Sequence, residues 1–177
     1  MKKLVPLLIT AIIFLSSCGF SYKVDVDLSN DEISATKTRI SELKDEIKNF
    51  EGSEGQIAAD QIVELARSYM ELGELGKAIK VYEDVLAEGH KTLAILNNLG
   101  KLYDEVGEYD KAIAMYQRLV DEYFEAKYLR NITWSHIKAG NRKEAEKYFN
   151  AWQLEFQKTD EQIQKAIKEL REEEKKG

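Results

Sequence analysis

At 177 residues, 44% of them hydrophobic and 33% charged, the chain has the size and composition of one ordinary globular domain. The formal net charge is −6, and the chain from Cys18 onward sets 24 basic against 32 acidic residues. That excess acid argues against nucleic acid, whose phosphates demand a basic surface. A single cysteine excludes an internal disulfide framework and a multi-cysteine metal site, and the sole proline, Pro6, leaves everything beyond it free to be helical.

The first segment is Met1-Lys2-Lys3, then an apolar run from Leu4 to Leu15, then Ser16, Ser17 and Cys18. A basic start, a short greasy core and small residues form the layout of a secretory signal. The run falls short of the roughly 20 apolar residues that a membrane-crossing helix needs. Leu15-Ser16-Ser17-Cys18 resembles the lipobox of bacterial lipoproteins. The resemblance implies that residues 1–17 are removed and that Cys18 carries diacylglycerol on sulfur and an acyl chain on its amine. Two or more acyl chains give stable anchoring where one holds only marginally. Gly19, rather than Asp, follows the cysteine. In a diderm bacterium the resemblance then implies the outer membrane, and with one membrane the cell surface. No other cofactor is expected.

Residues 18–30 read as a lipidated tether, although Val24, Val26 and Leu28 alternate with Asp25 and Asp27 as in a short strand. Ser29 and Glu32 form a capping-box pair that predicts a helix over 31–51. Its apolar stripe is Ile33, Ile40, Leu43, Ile47 and Phe50, a narrow seam interrupted by Thr36. Such a seam packs on the domain that follows or pairs with a second copy, making a homo-oligomer. Gly52 and Gly55 punctuate its end.

The body of the chain repeats. Tyr69, Gly73, Ala78, Ile79 and Tyr82 recur 34 residues later as Tyr103, Gly107, Ala112, Ile113 and Tyr116. After a further step of 33 the same places hold His136, Gly140, Ala145 and Phe149. The pattern resembles the tetratricopeptide repeat, a helix–turn–helix unit. It implies an all-α solenoid of helical hairpins over 56–158, with units 59–92, 93–125 and 126–158. Gly100 supplies a small residue on the first helix of the second unit. The third unit departs from the others, with Arg142 where Leu75 and Tyr109 stand and Gln153 where Leu86 and Val120 stand. That marks a last unit facing a cap. Thr159 and Gln162 suggest a second capping box, and Ile163, Ala166, Ile167 and Leu170 recur at helical spacing. Within 159–177, residues 160–175 therefore read as a capping helix over the third unit, and the terminal residues 172–177 as frayed and solvated.

Nothing in the sequence has the spacing of a catalytic or metal site. His136 replaces a core tyrosine, and His90 has no evident partner. Glu83-Asp84, Asp104-Glu105 and Asp121-Glu122 read as solvated helix faces. No enzyme is expected.

The repeat resemblance implies instead a concave groove lined by the first helices of the units. Its positions fall on Asp60, Val63, Arg67 and Met70, then Asn97, Asn98, Lys101 and Asp104, then Lys127, Arg130, Asn131 and Trp134. Amides there suit a peptide backbone, and the cations suit its carboxylates. One subfamily clamps C-terminal carboxylates. Asn98 and Lys127 fall at its positions, but Val63, Arg67 and Asn131 do not match its pattern. The sequence thus predicts a lipid-anchored adaptor or scaffold at a bacterial envelope that binds an envelope protein or peptide. The other reading is an oligomer joined through helix 31–50 with the repeats as spacers. Assembly of the envelope or recruitment of cell-wall enzymes is compatible with either.

Overall fold

A computed structural model describes residues 28–49, 59–157 and 159–176. The signal, Cys18, most of the tether and Phe50 lie outside the described residues. Those residues form eight helices and no strand. They are α1 (Asn30–Lys48), α2 (Ala59–Glu71), α3 (Leu75–Ala87), α4 (Leu93–Glu105), α5 (Tyr109–Tyr123), α6 (Ala126–Lys138), α7 (Arg142–Phe156) and α8 (Glu161–Glu174). None is long and apolar enough to cross a membrane.

Each helix begins and stops for local reasons. Ser29 caps α1 through a reciprocal bond pair, accepting from the Glu32 amide at 3.3 Å while Glu32 Oε2 accepts from the Ser29 amide at 2.8 Å. Thr92 caps α4 by accepting from the Ile95 amide at 3.2 Å. The turns α2–α3, α4–α5 and α6–α7 each contain a glycine in the left-handed region, with φ of 70° at Gly73, 82° at Gly107 and 74° at Gly140. A side chain there would strain the backbone, so the hairpin turns need this residue. The turns are short, which makes α2/α3, α4/α5 and α6/α7 antiparallel hairpins.

The hairpins stack into one continuous core. Ala78, Ala112 and Ala145 are completely buried, and their small size lets each second helix approach its neighbours closely. A larger residue there would overpack the seam at a cost of about 1–3 kcal/mol. Tyr82, Tyr116 and Phe149 fill the next equivalent place and are buried as well. Burying a large apolar side chain contributes about 1.5–3 kcal/mol. His136 is 9% exposed and stacks on Tyr148 with ring centroids 5.4 Å apart, so it packs in place of the tyrosine. Burial lowers its basicity.

Two ends close the stack. Ile40 and Leu43 of α1 are buried, and Arg39 bonds Glu64 of α2 at 2.9 and 3.0 Å. The apolar seam of α1 therefore packs within the chain. At the other end α8 lies against both α6 and α7 and buries Ile163 and Ile167. It thus covers the open side of the third hairpin.

The start of α8 differs from the sequence expectation. The cap is Asp160, which accepts from the Gln162 and Ile163 amides at 3.0 and 3.2 Å. Thr159 instead accepts from the Gln164 side chain. The helix itself matches the expected 160–175, running Glu161–Glu174 with residues 172–176 exposed, but its last turn is not frayed. Residues 172–174 are helical, and Glu174 Oε2 accepts from Arg142 Nε at 2.6 Å. Arg142 also meets Glu146 at 2.9 Å, which explains why an arginine stands where the other units carry Leu75 and Tyr109. Its neighbour is the polar flank of α8.

Candidate partner-binding face

The first helices of the hairpins, α2, α4 and α6, contribute to the walls of two clefts. The first, about 690 Å³, opens between α1, α2 and α4, with Arg39, Val63, Arg67 and Asn98 on its walls. The second, about 620 Å³, opens between α4, α5 and α6. Lys101, Asp104 and Glu105 come to it from α4, Tyr109 and Tyr116 from α5, and Asn131, Trp134 and Lys138 from α6.

Asp104 forms the floor of the second cleft. Ser135 Oγ donates to its Oδ1 at 2.7 Å, and the Tyr116 hydroxyl donates to Oδ2 at 3.4 Å. Lys138 Nζ lies 3.8 Å from Oδ2, a long pair. The Asp104 side chain is only 11% exposed. Burial pushes its carboxyl above the ordinary aspartate value, and the bonds from Ser135, Lys138 and Tyr116 offset only part of that. Asp104 is therefore not part of a solvated face, as its acidic neighbour in sequence suggested. A carboxylate with two hydroxyl donors and a distant ammonium is held in place but poorly neutralised. Burial and the adjacent Asp104 charge likewise raise the Tyr116 hydroxyl, which stays protonated and serves as a donor.

The other expected groove residues separate into free and engaged groups. Arg130 bonds Asp160 with Nε at 2.8 Å and Nη2 at 2.7 Å, joining α6 to the start of α8. Lys127 pairs with Glu125 at 2.7 Å and lies over the Tyr128 ring. Asn98 donates to the Tyr82 hydroxyl at 3.2 Å while remaining on the wall of the first cleft. Asn97 is half-buried on α4 and lines neither of the two clefts. Arg67 lies in the first cleft, and Lys101, Asn131 and Trp134 lie together in the second. The carboxylate-clamp positions are thus divided, with Val63, Arg67 and Asn98 in one cleft and Asn131 in the other. Tyr109, Tyr116 and Lys138 were absent from the expected site. They come from a second helix or from the last turn of a first helix, which a pattern of first-helix positions does not sample.

Comparison with known proteins gives the arrangement a context. The sequence profile described as "Tetratricopeptide repeat" matches residues 61–123, which run from α2 to the end of α5. A tetratricopeptide repeat protein from Parabacteroides merdae superposes with a TM-score of 0.63 at 23% identity. The fold is that of a tetratricopeptide-repeat solenoid. The similarity covers 81% of this chain but only 55% of the Parabacteroides protein, so the present chain spans about half of that relative's length. MamA of AMB-1 is similar with a TM-score of 0.57 at 18% identity, over 81% of this chain and 79% of that one. No curated protein matches significantly. The three stacked hairpins are α2/α3, α4/α5 and α6/α7. The profile match covers the first two, and the third carries the His136 and Arg142 departures.

Proposed function

We propose that this protein is a lipid-anchored adaptor of a bacterial envelope, held by acyl chains on Cys18 and binding a protein or peptide on the concave face of its repeats. Tetratricopeptide-repeat domains bind proteins or peptides, which supports this class of activity. The observation that carries the reading is the second cleft, where Trp134, partly buried against the core, lines the wall with Lys101 and Asn131. A tryptophan left partly open in a concave site is the kind of residue on which binding energy concentrates. Leu15-Ser16-Ser17-Cys18 supports the anchor. Nothing favours the oligomer reading over this one, because Ile40 and Leu43 of α1 are covered within the chain.

The test has two arms. Cys18→Ala is expected to abolish fatty-acid labelling and to release the protein from the membrane fraction; unchanged residence in the membrane would refute the anchor. A photocrosslinking residue at position 101 is expected to capture a discrete partner in cells, and Trp134→Ala to reduce that capture. The same residue at position 143, on the exposed side of α7, is expected to capture none. Equal capture from both positions would refute binding on the concave face.

A further inference from the structure

We infer that the cleft between α4, α5 and α6 is a receptor for an arginine side chain presented by the partner, an inference that rests on the adaptor reading above. The guanidinium would stack on the faces of Trp134 and Tyr109 and pair with the carboxylates of Asp104 and Glu105.

Four observations select a cation rather than an anion. The first is the floor. Asp104 is nearly enclosed, and its nearest cation is 3.8 Å away on the side chain of Lys138, which is itself 44% exposed. Burial pushes this carboxyl above its ordinary value, and the bond from Ser135, the charge of Lys138 and the bond from Tyr116 offset only part of that. The second is Glu105, on the same wall, which pairs with no cation among the described residues. Lys101 precedes the two acids by three and four residues on the same helix, yet it pairs with neither.

The third is aromatic. Tyr69, Tyr103, Tyr128 and Tyr148 each have a lysine of this chain over the ring, at 4.8 to 5.6 Å from the centroid. Among the described residues Trp134 and Tyr109 have none. Tryptophan is the best of the aromatic side chains at attracting a cation, and arginine is the cation most often found on it. The fourth concerns the cations. Lys101 and Lys138, the two on the walls of the cleft, are exposed and hold neither acid closely, while Arg130 and Lys127 outside it are engaged by Asp160 and Glu125. The whole chain is acidic, with a net charge of −6, so a basic segment is also attracted at long range.

Arginine fits this cleft better than lysine. Its planar fork matches a carboxylate with two parallel bonds and lies flat on an indole. Lys138 then acts as the internal competitor, a weakly held ammonium that the incoming guanidinium displaces from Asp104.

The experiment uses the full chain in detergent micelles and follows the Trp134 indole N–H signal by NMR. The probe is acetyl-Gly-Arg-Gly-amide, with citrulline and glutamate tripeptides as comparators. Citrulline keeps the shape of arginine and removes its charge. The arginine peptide is expected to shift the Trp134 signal saturably and the other two to leave it in place. Asp104→Asn should weaken binding about tenfold, the effect of losing one charge-assisted bond. Glu105→Gln, which engages no other side chain of the cleft, should weaken it about threefold, the scale of an ion pair near the surface, without disturbing the core, which circular dichroism verifies. Lys138→Gln should strengthen it, because the internal competitor is gone.

An equal response to citrulline, a preference for glutamate, or weaker arginine binding in Lys138→Gln would overturn the inference. The adaptor reading has its own readout. Capture from position 101 combined with no arginine response refutes this inference alone, whereas a saturable arginine response without capture in cells refutes the adaptor alone.

Discussion

A Cβ atom on Gly100 would stand 2.8 Å from Cε1 of Tyr116 and 3.0 Å from Cζ. The ring of Tyr116 lies directly against the backbone of α4, and its hydroxyl reaches Asp104 from that position. A glycine in the middle of a helix costs about 1 kcal/mol relative to alanine. Here the close approach of ring and helix explains it. Gly100→Ala should recover that propensity but force a buried ring to move, and overpacking costs about 1–3 kcal/mol. The expected net is a destabilisation of about 1 kcal/mol, a fall in Tm of about 2–4 °C for a domain of this size. In a Tyr116→Leu background the same substitution should become neutral or stabilising. Thermal unfolding of the four proteins of this cycle measures the coupling, and additive effects would show that ring and glycine are independent.

Asp160 joins a cap to an ion pair. Burial alone would raise its carboxyl, but the hydrogen bond from Arg130 and those from the Ile163 and Gln162 amides hold it below the ordinary value of 3.8. A carboxylate lowered on folding stabilises the native state above its unfolded value, and that contribution is lost as pH falls through the lowered one. Asp160→Ala should therefore cost about 1–2 kcal/mol at neutral pH, the range for loss of a helix cap. The difference from wild type should shrink as the solution becomes strongly acidic. Hydrogen exchange at the Ile163 and Ile167 amides should accelerate in the variant. Unchanged protection there would mean that α8 is held by its apolar contacts alone.

Asp104 predicts the opposite dependence. Its carboxyl is raised on folding, so its favourable contribution is complete below the ordinary value of 3.8 and lost as pH rises through the raised one. At neutral pH the folded chain carries a poorly neutralised charge. Asp104→Asn keeps an oxygen to accept from Ser135 and removes the charge. The variant should melt higher than wild type at pH 7, and the gap should close below about pH 3.8. Melting curves at the two pH values decide this, and a gap that widens in acid would show that the charge is well compensated in the native protein.

The repeat was legible because it is written in residue size. Ala78, Ala112 and Ala145 permit close approach, and Gly73, Gly107 and Gly140 permit a left-handed turn, so periodic spacing alone located the hairpins. The caps were less certain. Thr159 and Asp160 are adjacent, both can cap, and the pair with Arg130, some 30 residues away, settles which one does. Asp104 was misread for the same reason. On a helical wheel it belongs with Glu105 on a polar face, but its burial depends on Tyr116 from α5 and Ser135 from α6. Arg130 and Lys127 looked available to a ligand because the acids that occupy them, Asp160 and Glu125, do not lie in the groove pattern. Tertiary neighbours decide which charges are free, and a single sequence does not order those neighbours.

Asp104 and Tyr116 belong to the second hairpin, while Ser135 and Lys138 belong to the third. The floor of the cleft is consequently a joint between two stacked units, fastened by hydroxyls from both sides. Any change in the curvature of the stack must stretch or compress these bonds. A guest seated between Trp134 and Tyr109 would act as a wedge at that joint, and flexing of the solenoid and occupancy of the cleft become two readings of a single mechanical coordinate.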